Sequence, residues 1–309
     1  MFYQQRLNPI AQFALLLSFC GVGIIISSVV TGLIGNMIMH VPVTQIANEL
    51  LKPQYIQVYR LLQVITSFLV MALPALIVGF INGGKPIANL GFSETLSGKQ
   101  VFLVIIMVFA GFLLSGALGE LNRMIPVSKT AATYFNKLEE DYNKQVIAIG
   151  NMKSTTDYIL SLMVLAIVPA IFEEMLFRGG LQQIMVSLTR NAFAGILITS
   201  ILFSAIHFSF YGFLPRLFLG LMLGYIFYYS KNLWLNILAH FLNNAYTLTI
   251  LYAMSRAGKL NTDAMEDTFP LYYGLIGAAA ILMLFVIFKR ESRRLLPEIE
   301  NNGHSNYHS

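Results

Sequence analysis

Charge is what this sequence has least of. Asp, Glu, Lys and Arg make up 11% of its 309 residues, against about 25% in a soluble globular chain. So little charge rules out water as the surroundings of most of the chain. Cysteine is nearly absent as well: the one present, Cys20, excludes intrachain disulfides and a cysteine metal cluster, and says nothing about redox compartment. No histidine is followed by glutamate, so the H-E-x-x-H zinc motif is missing. No basic patch interleaved with aromatics occurs, which argues against a nucleic-acid partner. There is no internal repeat of the kind that builds a transporter from two related halves.

What fills the space is apolar. Hydrophobic residues reach 56%, mean hydropathy is +0.67, and stretches of the ~20 residues needed to cross a bilayer recur. The expectation is an all-α, polytopic membrane protein with about eight transmembrane helices, at roughly 11–35, 61–83, 100–119, 158–188, 192–212, 214–230, 232–254 and 270–288. The first stretch is too long for a leader's apolar core and no A-x-A-like site follows it, so it is kept as a span. Residues 1–296 then form one membrane domain. The polar interruption near 120–157 reads as a solvated loop with some interfacial helix, and the Asn- and Ser-rich segment 297–309 as a disordered tail. The cations Lys289, Arg290, Arg293 and Arg294 follow the last span and suit anionic lipid headgroups on the cytoplasmic side. With eight spans, both termini are expected to be cytoplasmic, in an inner membrane of bacterial type.

An ionisable group in hydrocarbon costs on the order of 2.5–3.5 kcal/mol by insertion scales and needs a reason. Within the spans these groups are Glu173, Glu174, Arg178, His207 and His240, with Arg216 near a helix start. Glu174 and Arg178 are four residues apart and share a helical face, as an ion pair requires. Glu173 is turned about 100° away and lacks that partner; an unpaired carboxylate in a low dielectric is suited to general acid–base work. Pro169 should kink the helix one turn earlier. Glu173 lies 17 residues before Arg190 and His207 17 after it, so two antiparallel helices joined there would set both at one depth. On the seventh span Asn236, His240 and Asn244 recur every four residues, with Asn243 beside them. Such side chains can donate hydrogen bonds to an oxyanion. Taken singly, each of these groups reads as interhelical glue; their convergence favours catalysis.

Other intramembrane hydrolase chemistries find less support. Asp141, Asp157, Asp263 and Asp267 all fall outside the apolar cores, which argues against an aspartyl dyad. Cys20 has no basic partner nearby in sequence. Residue count leaves a serine mechanism open, although no Ser stands in a G-x-S-G setting. Two non-hydrolytic readings stay beside the enzyme: a membrane scaffold or bacteriocin-immunity protein that binds a peptide, and a proton-coupled transporter using Glu173 and the histidines as a relay.

Glu173-Glu174-x-x-x-Arg178, Phe203-x-x-x-His207 and His240-x-x-x-Asn244, in that order over about residues 158–250, resemble the three motifs of the CAAX-protease and bacteriocin-processing family. That family is also called the CPBP intramembrane metalloproteases and includes proteins labelled Abi. The resemblance implies an intramembrane endopeptidase cutting a membrane-associated peptide or lipidated protein, of prenylated CAAX type or bacteriocin-like. By position, Glu173 would be the general base, with His207 helping to bind and activate water. His240 and Asn244 would steady the oxyanion, and Glu174 with Arg178 would support them. Membrane lipids are the surrounding partner. One zinc ion held by Glu173, His207 and His240 plus water would match a catalytic zinc pattern; the same three residues could equally work without metal.

Overall fold

The computed structural model describes residues 7–93, 95–260 and 270–305. Among these the chain is helical, with no strand. Six helices are long and apolar enough to cross a membrane: α1 (Pro9–Met39), α3 (Pro53–Ile81), α4 (Gly98–Arg123), α6 (Thr155–Thr189), α8 (Phe213–Ser230) and the stretch Leu271–Leu295 of α10. The short α2 (Val43–Glu49) links α1 to α3. The polar interruption folds as a helix, α5 (Lys129–Gly150), begun by Ser128, whose side chain accepts from the Ala131 amide. The remaining two of the eight expected segments are also helices, α7 (Ala192–Ala205) and α9 (Leu233–Arg256).

The fifth segment departs from expectation. Instead of a span over 192–212, α7 ends after 14 residues, about 21 Å at 1.5 Å per residue. The chain then turns through Phe208, whose φ is +51°. His207 therefore sits in a turn beyond the helix end rather than on a helical face. A non-glycine residue in the left-handed region stops the helix because its carbonyl and amide no longer point along the axis. The sequence 297–305, read as a polar tail, continues the backbone helix of α10 (Leu271–Ser305); extending an existing helix is far easier than nucleating one. Residues 306–309 lie outside the described residues, as do Asp263 and Asp267.

The chain has two distinct ends. At one, the Leu7 amide donates to Asn82 Oδ1, Asn232 Nδ2 to the carbonyls of Ser93 and Thr95, Gln183 Nε2 to the Asn89 carbonyl, and Ser97 Oγ to Glu291 Oε1. At the other, Arg60 binds Asp157 and Ser161, Tyr158 meets Thr249, and Ser255 Oγ donates to the Met152 carbonyl. Between them lies an apolar core shared by α4, α6, α7, α8, α9 and α10, including Val104, Met107, Phe203, Leu223, Ala239 and Phe288. Outward positions are apolar too: Ile25, Leu33 and Met37 on α1, and Leu275, Leu282 and Met283 on α10 are exposed. On α1 the buried set instead includes Gln12, Gly23 and Ser27. Polar and small residues inside with apolar ones outside suits hydrocarbon as solvent.

Candidate active site

The motif helix α6 is not uniformly α-helical. Two π-helical segments, Leu162–Ile167 and Met175–Gln182, flank the turns Val168–Glu174 that carry both glutamates. Pro169 follows the first segment after one residue, Val168, so the donor it lacks falls beside the widened ladder. Insertions of this kind concentrate at functional sites, because they re-aim side chains without ending the helix.

Glu174 and Arg178, both fully buried, form the expected pair at 2.6 Å. The guanidinium also donates to the Gly220 carbonyl at 3.2 Å and lies 4.6 Å from the Phe203 ring centroid. Glu174 gathers two more partners from α9: His240 Nδ1 at 2.8 Å and Asn236 Nδ2 at 3.3 Å. Asn236 in turn donates to the Leu223 carbonyl at 2.7 Å. This carboxylate is thus ringed by donors.

Glu173 is the opposite. Its Oε2 is buried without a hydrogen-bond partner, and His240 Nε2 stands 3.9 Å away, too far for a hydrogen bond. His207 joins from the turn after α7. Its Nδ1 lies 2.8 Å from the Phe203 carbonyl, and its ring is within electrostatic reach of Glu173, His240 and Arg216. A carbonyl only accepts, so His207 carries hydrogen on Nδ1; in both imidazoles Nδ1 is engaged and Nε2 has no hydrogen bond among the described residues. Phe203 is the shared wall, its ring 5.2 Å from His207 and 5.8 Å from His240.

Of the six residues expected from the sequence, the structure draws Glu173, Glu174, Arg178, His207 and His240 together. Asn244 lies one turn beyond His240, half-buried, accepting from Asn243 Nδ2 at 3.4 Å. From His207 polar groups continue toward α5, where Ser209 Oγ donates to Glu139 and Tyr211 to Asn136. For a zinc ion, the donors Glu173, His207 and His240 are the right types. Among the described residues, however, no group of three His, Cys, Asp or Glu side chains is placed to hold a metal.

Two contributors have a weaker trace in the sequence. Asn236 belongs to the four-residue stripe. Asn122 of α4 binds the far side of the His207 turn, donating to the Phe210 carbonyl at 2.9 Å and accepting from the Leu214 amide at 2.8 Å. Nothing in its local sequence marks it.

The same helices carry a family likeness. Residues 155–246 match the family model described as type II CAAX prenyl endopeptidase Rce1-like. The match is to this segment, less than half of the chain. The likeness takes in the π-interrupted α6, the His207 turn, α8 and the polar stripe of α9, and it supports an intramembrane endopeptidase of the CAAX type in general. No curated protein and no solved structure gives a match. The Rce1-like segment thus contains every motif residue whose geometry is given above.

Proposed function

We propose that the chain is an intramembrane endopeptidase in which Glu173 activates water against a peptide bond of a membrane-associated peptide or lipidated protein. The observation that carries the reading is the contrast between the two glutamates: Glu174 is saturated by Arg178, His240 and Asn236, while Glu173 Oε2 is buried and unpartnered. A buried carboxylate oxygen with nothing bound to it is costly to keep, and a reacting water repays that cost. The 3.9 Å between Glu173 Oε2 and His240 Nε2 is a gap that a shared water bridges.

In this reading a water lies between Glu173 Oε2, His240 Nε2 and the His207 ring. Glu173 takes its proton as the oxygen attacks the carbonyl carbon, and then returns a proton to the leaving amine. His240, held by Glu174, and Asn244, one turn along, stand on the side where negative charge develops on the carbonyl oxygen. A zinc ion is the second reading, favoured by both imidazoles keeping Nε2 open while Nδ1 is engaged, the arrangement found in metal-bound histidines. In that case Glu173, His207 and His240, which are not placed to hold a metal as they stand, would have to close on it, and it would supply a lowered pKa of bound water.

The test is cleavage of lipidated and unlipidated peptides by purified protein in lipid, comparing wild type with Glu173→Gln, with and without a strong chelator. Wild-type cleavage and a folded, inactive Glu173→Gln protein support the peptidase; loss of wild-type cleavage with chelator moves the water onto a metal. Uncut peptides across the panel sink the peptidase and favour a peptide-binding scaffold.

A further inference from the structure

Arg216 is a cation that the reaction above leaves unused. It lies in the first turn of α8 (Phe213–Ser230), four residues past Gly212, and within electrostatic reach of His207. Unlike Arg178, its side chain has no ion-pair or hydrogen-bond partner among the described residues, and its Nη1 is buried and unsatisfied. Two features hold it in place. The Tyr142 ring of α5 lies 5.0 Å from its Cζ. Gly212 supplies the space: a Cβ there would run into Nη1 and Cζ, so the guanidinium occupies the room that a side chain would take. Ser209 Oγ borders the same space and donates to Glu139 of α5; the rest of the surroundings is aromatic, with Phe210 stacked on Phe135 at 4.1 Å and Phe208 exposed.

A partly buried guanidinium with no direct ion pair is unfavourable in the free protein, even with Glu139 nearby on Ser209. Positioned and half-buried, it is suited to a planar anion that accepts two parallel hydrogen bonds, as a carboxylate does. If the reading of the site as a peptidase holds, the ligand is a peptide. The anion that every peptide ending near the scissile bond brings is its terminal carboxylate. An extended chain advances about 3.3 Å per residue, so a carboxylate held by Arg216 would fix the bond that reaches Glu173 at a set number of residues from the chain end.

We propose that Arg216, cradled by Gly212 and Tyr142, is the specificity-determining residue that binds the free C-terminal carboxylate of the substrate and so sets which bond, counted from that end, reaches Glu173. The inference rests on the peptidase reading, but its test does not need turnover. A fluorescein-labelled hexapeptide of apolar residues is prepared as the free acid and as the C-terminal amide. Binding of each is followed by anisotropy to full-length Glu173→Gln protein in phosphatidylcholine vesicles, with and without Arg216→Gln or Arg216→Lys. The expected result is that the acid binds at least about tenfold tighter than the amide. Arg216→Gln should abolish the difference by weakening the acid alone, and Arg216→Lys should restore part of it. Equal affinity for acid and amide, absence of binding, or equal loss of both in Arg216→Gln overturns the proposal. So does loss of discrimination when phosphatidylglycerol is added, since Arg216 would then serve lipid phosphate. Acid-selective binding together with peptides left uncut by the wild-type protein would remove the peptidase reading and leave Arg216 as a C-terminus receptor.

Discussion

At the scale of single residues, two neighbouring carboxylates are separated by what surrounds them. Glu174 is fully buried and is held by a cation, an imidazole and an amide; its role is to keep Arg178 and His240 in place. Removing one partner of a buried pair costs about 3–5 kcal/mol, because the other charge is left stranded, whereas replacing both with apolar groups is often nearly neutral. Arg178→Met should therefore lower the unfolding midpoint sharply in thermal denaturation of the lipid-reconstituted protein, and Arg178→Met with Glu174→Leu should recover much of it. A single variant as stable as wild type would mean that the pair is not the anchor described. Glu173→Gln should act the other way. With no partner to lose at Oε2, stability stays within about 1 kcal/mol of wild type, while peptide cleavage falls by roughly 10²–10⁴-fold, the usual worth of a general base. This division was legible in the sequence. Four-residue spacing pairs Glu174 with Arg178, and the same geometry turns Glu173 away. The His240 contact to Glu174 was not, since it depends on how closely α9 approaches α6, which no local pattern encodes.

At the scale of elements, the site depends on helices that come unusually close. A Cβ on Gly220 would lie 3.0 Å from Ser200 Cα, and one on Gly224 2.6 Å from Ile196 Cγ2, so α8 meets the backbone of α7 at Gly220 and the Ile196 side chain at Gly224. The approach leaves their carbonyls open to α6: Gly220 accepts from Arg178 and Gly224 from Gln182. The small-xxx-small spacing announced close packing but not these hydrogen bonds. The short α7 was missed for a related reason. Residues 192–212 are apolar enough to pass for a span, and only the left-handed Phe208, with Asn122 from a distant helix clamping the turn, shows where the helix stops. Asn122→Ala leaves one carbonyl and one amide unsatisfied and should cost about 1–3 kcal/mol. Because the clamp sets the position of His207, cleavage should fall by more than the lost stability explains, read as reduced kcat at a temperature where the variant is fully folded. Unchanged kcat would detach the turn from the chemistry.

At the scale of the whole molecule, polar groups sort to two ends of an otherwise apolar body, and that sorting fixes more about topology than the charges do. Leu7 and Glu291 both bind at the end that holds Asn82, Ser97 and Asn232, so the beginning of α1 and the basic end of α10 share a side. The amphipathic α5 belongs to the opposite end, where it reaches the His207 turn through Phe135, Asn136 and Glu139. The sequence anticipated co-sided termini by counting spans; the contacts place the start of α1 and the Glu291 stretch of α10 at one end of the molecule. What the sequence could not show is that α5 lies over the site, since its polar composition reads equally as a solvated loop. Single cysteines placed at Asn8 and at Arg293, in a Cys20→Ser background, should be labelled by an impermeant maleimide from the same side of sealed vesicles. A third at Lys137 on α5 should be labelled from the other. If Lys289, Arg290, Arg293 and Arg294 follow the positive-inside tendency, the first pair faces the cytoplasm and the His207 turn opens toward the far side. Labelling of Lys137 from the same side as Asn8 would instead require α5 to reach the site across the membrane plane, and the two-ended arrangement would have to be abandoned.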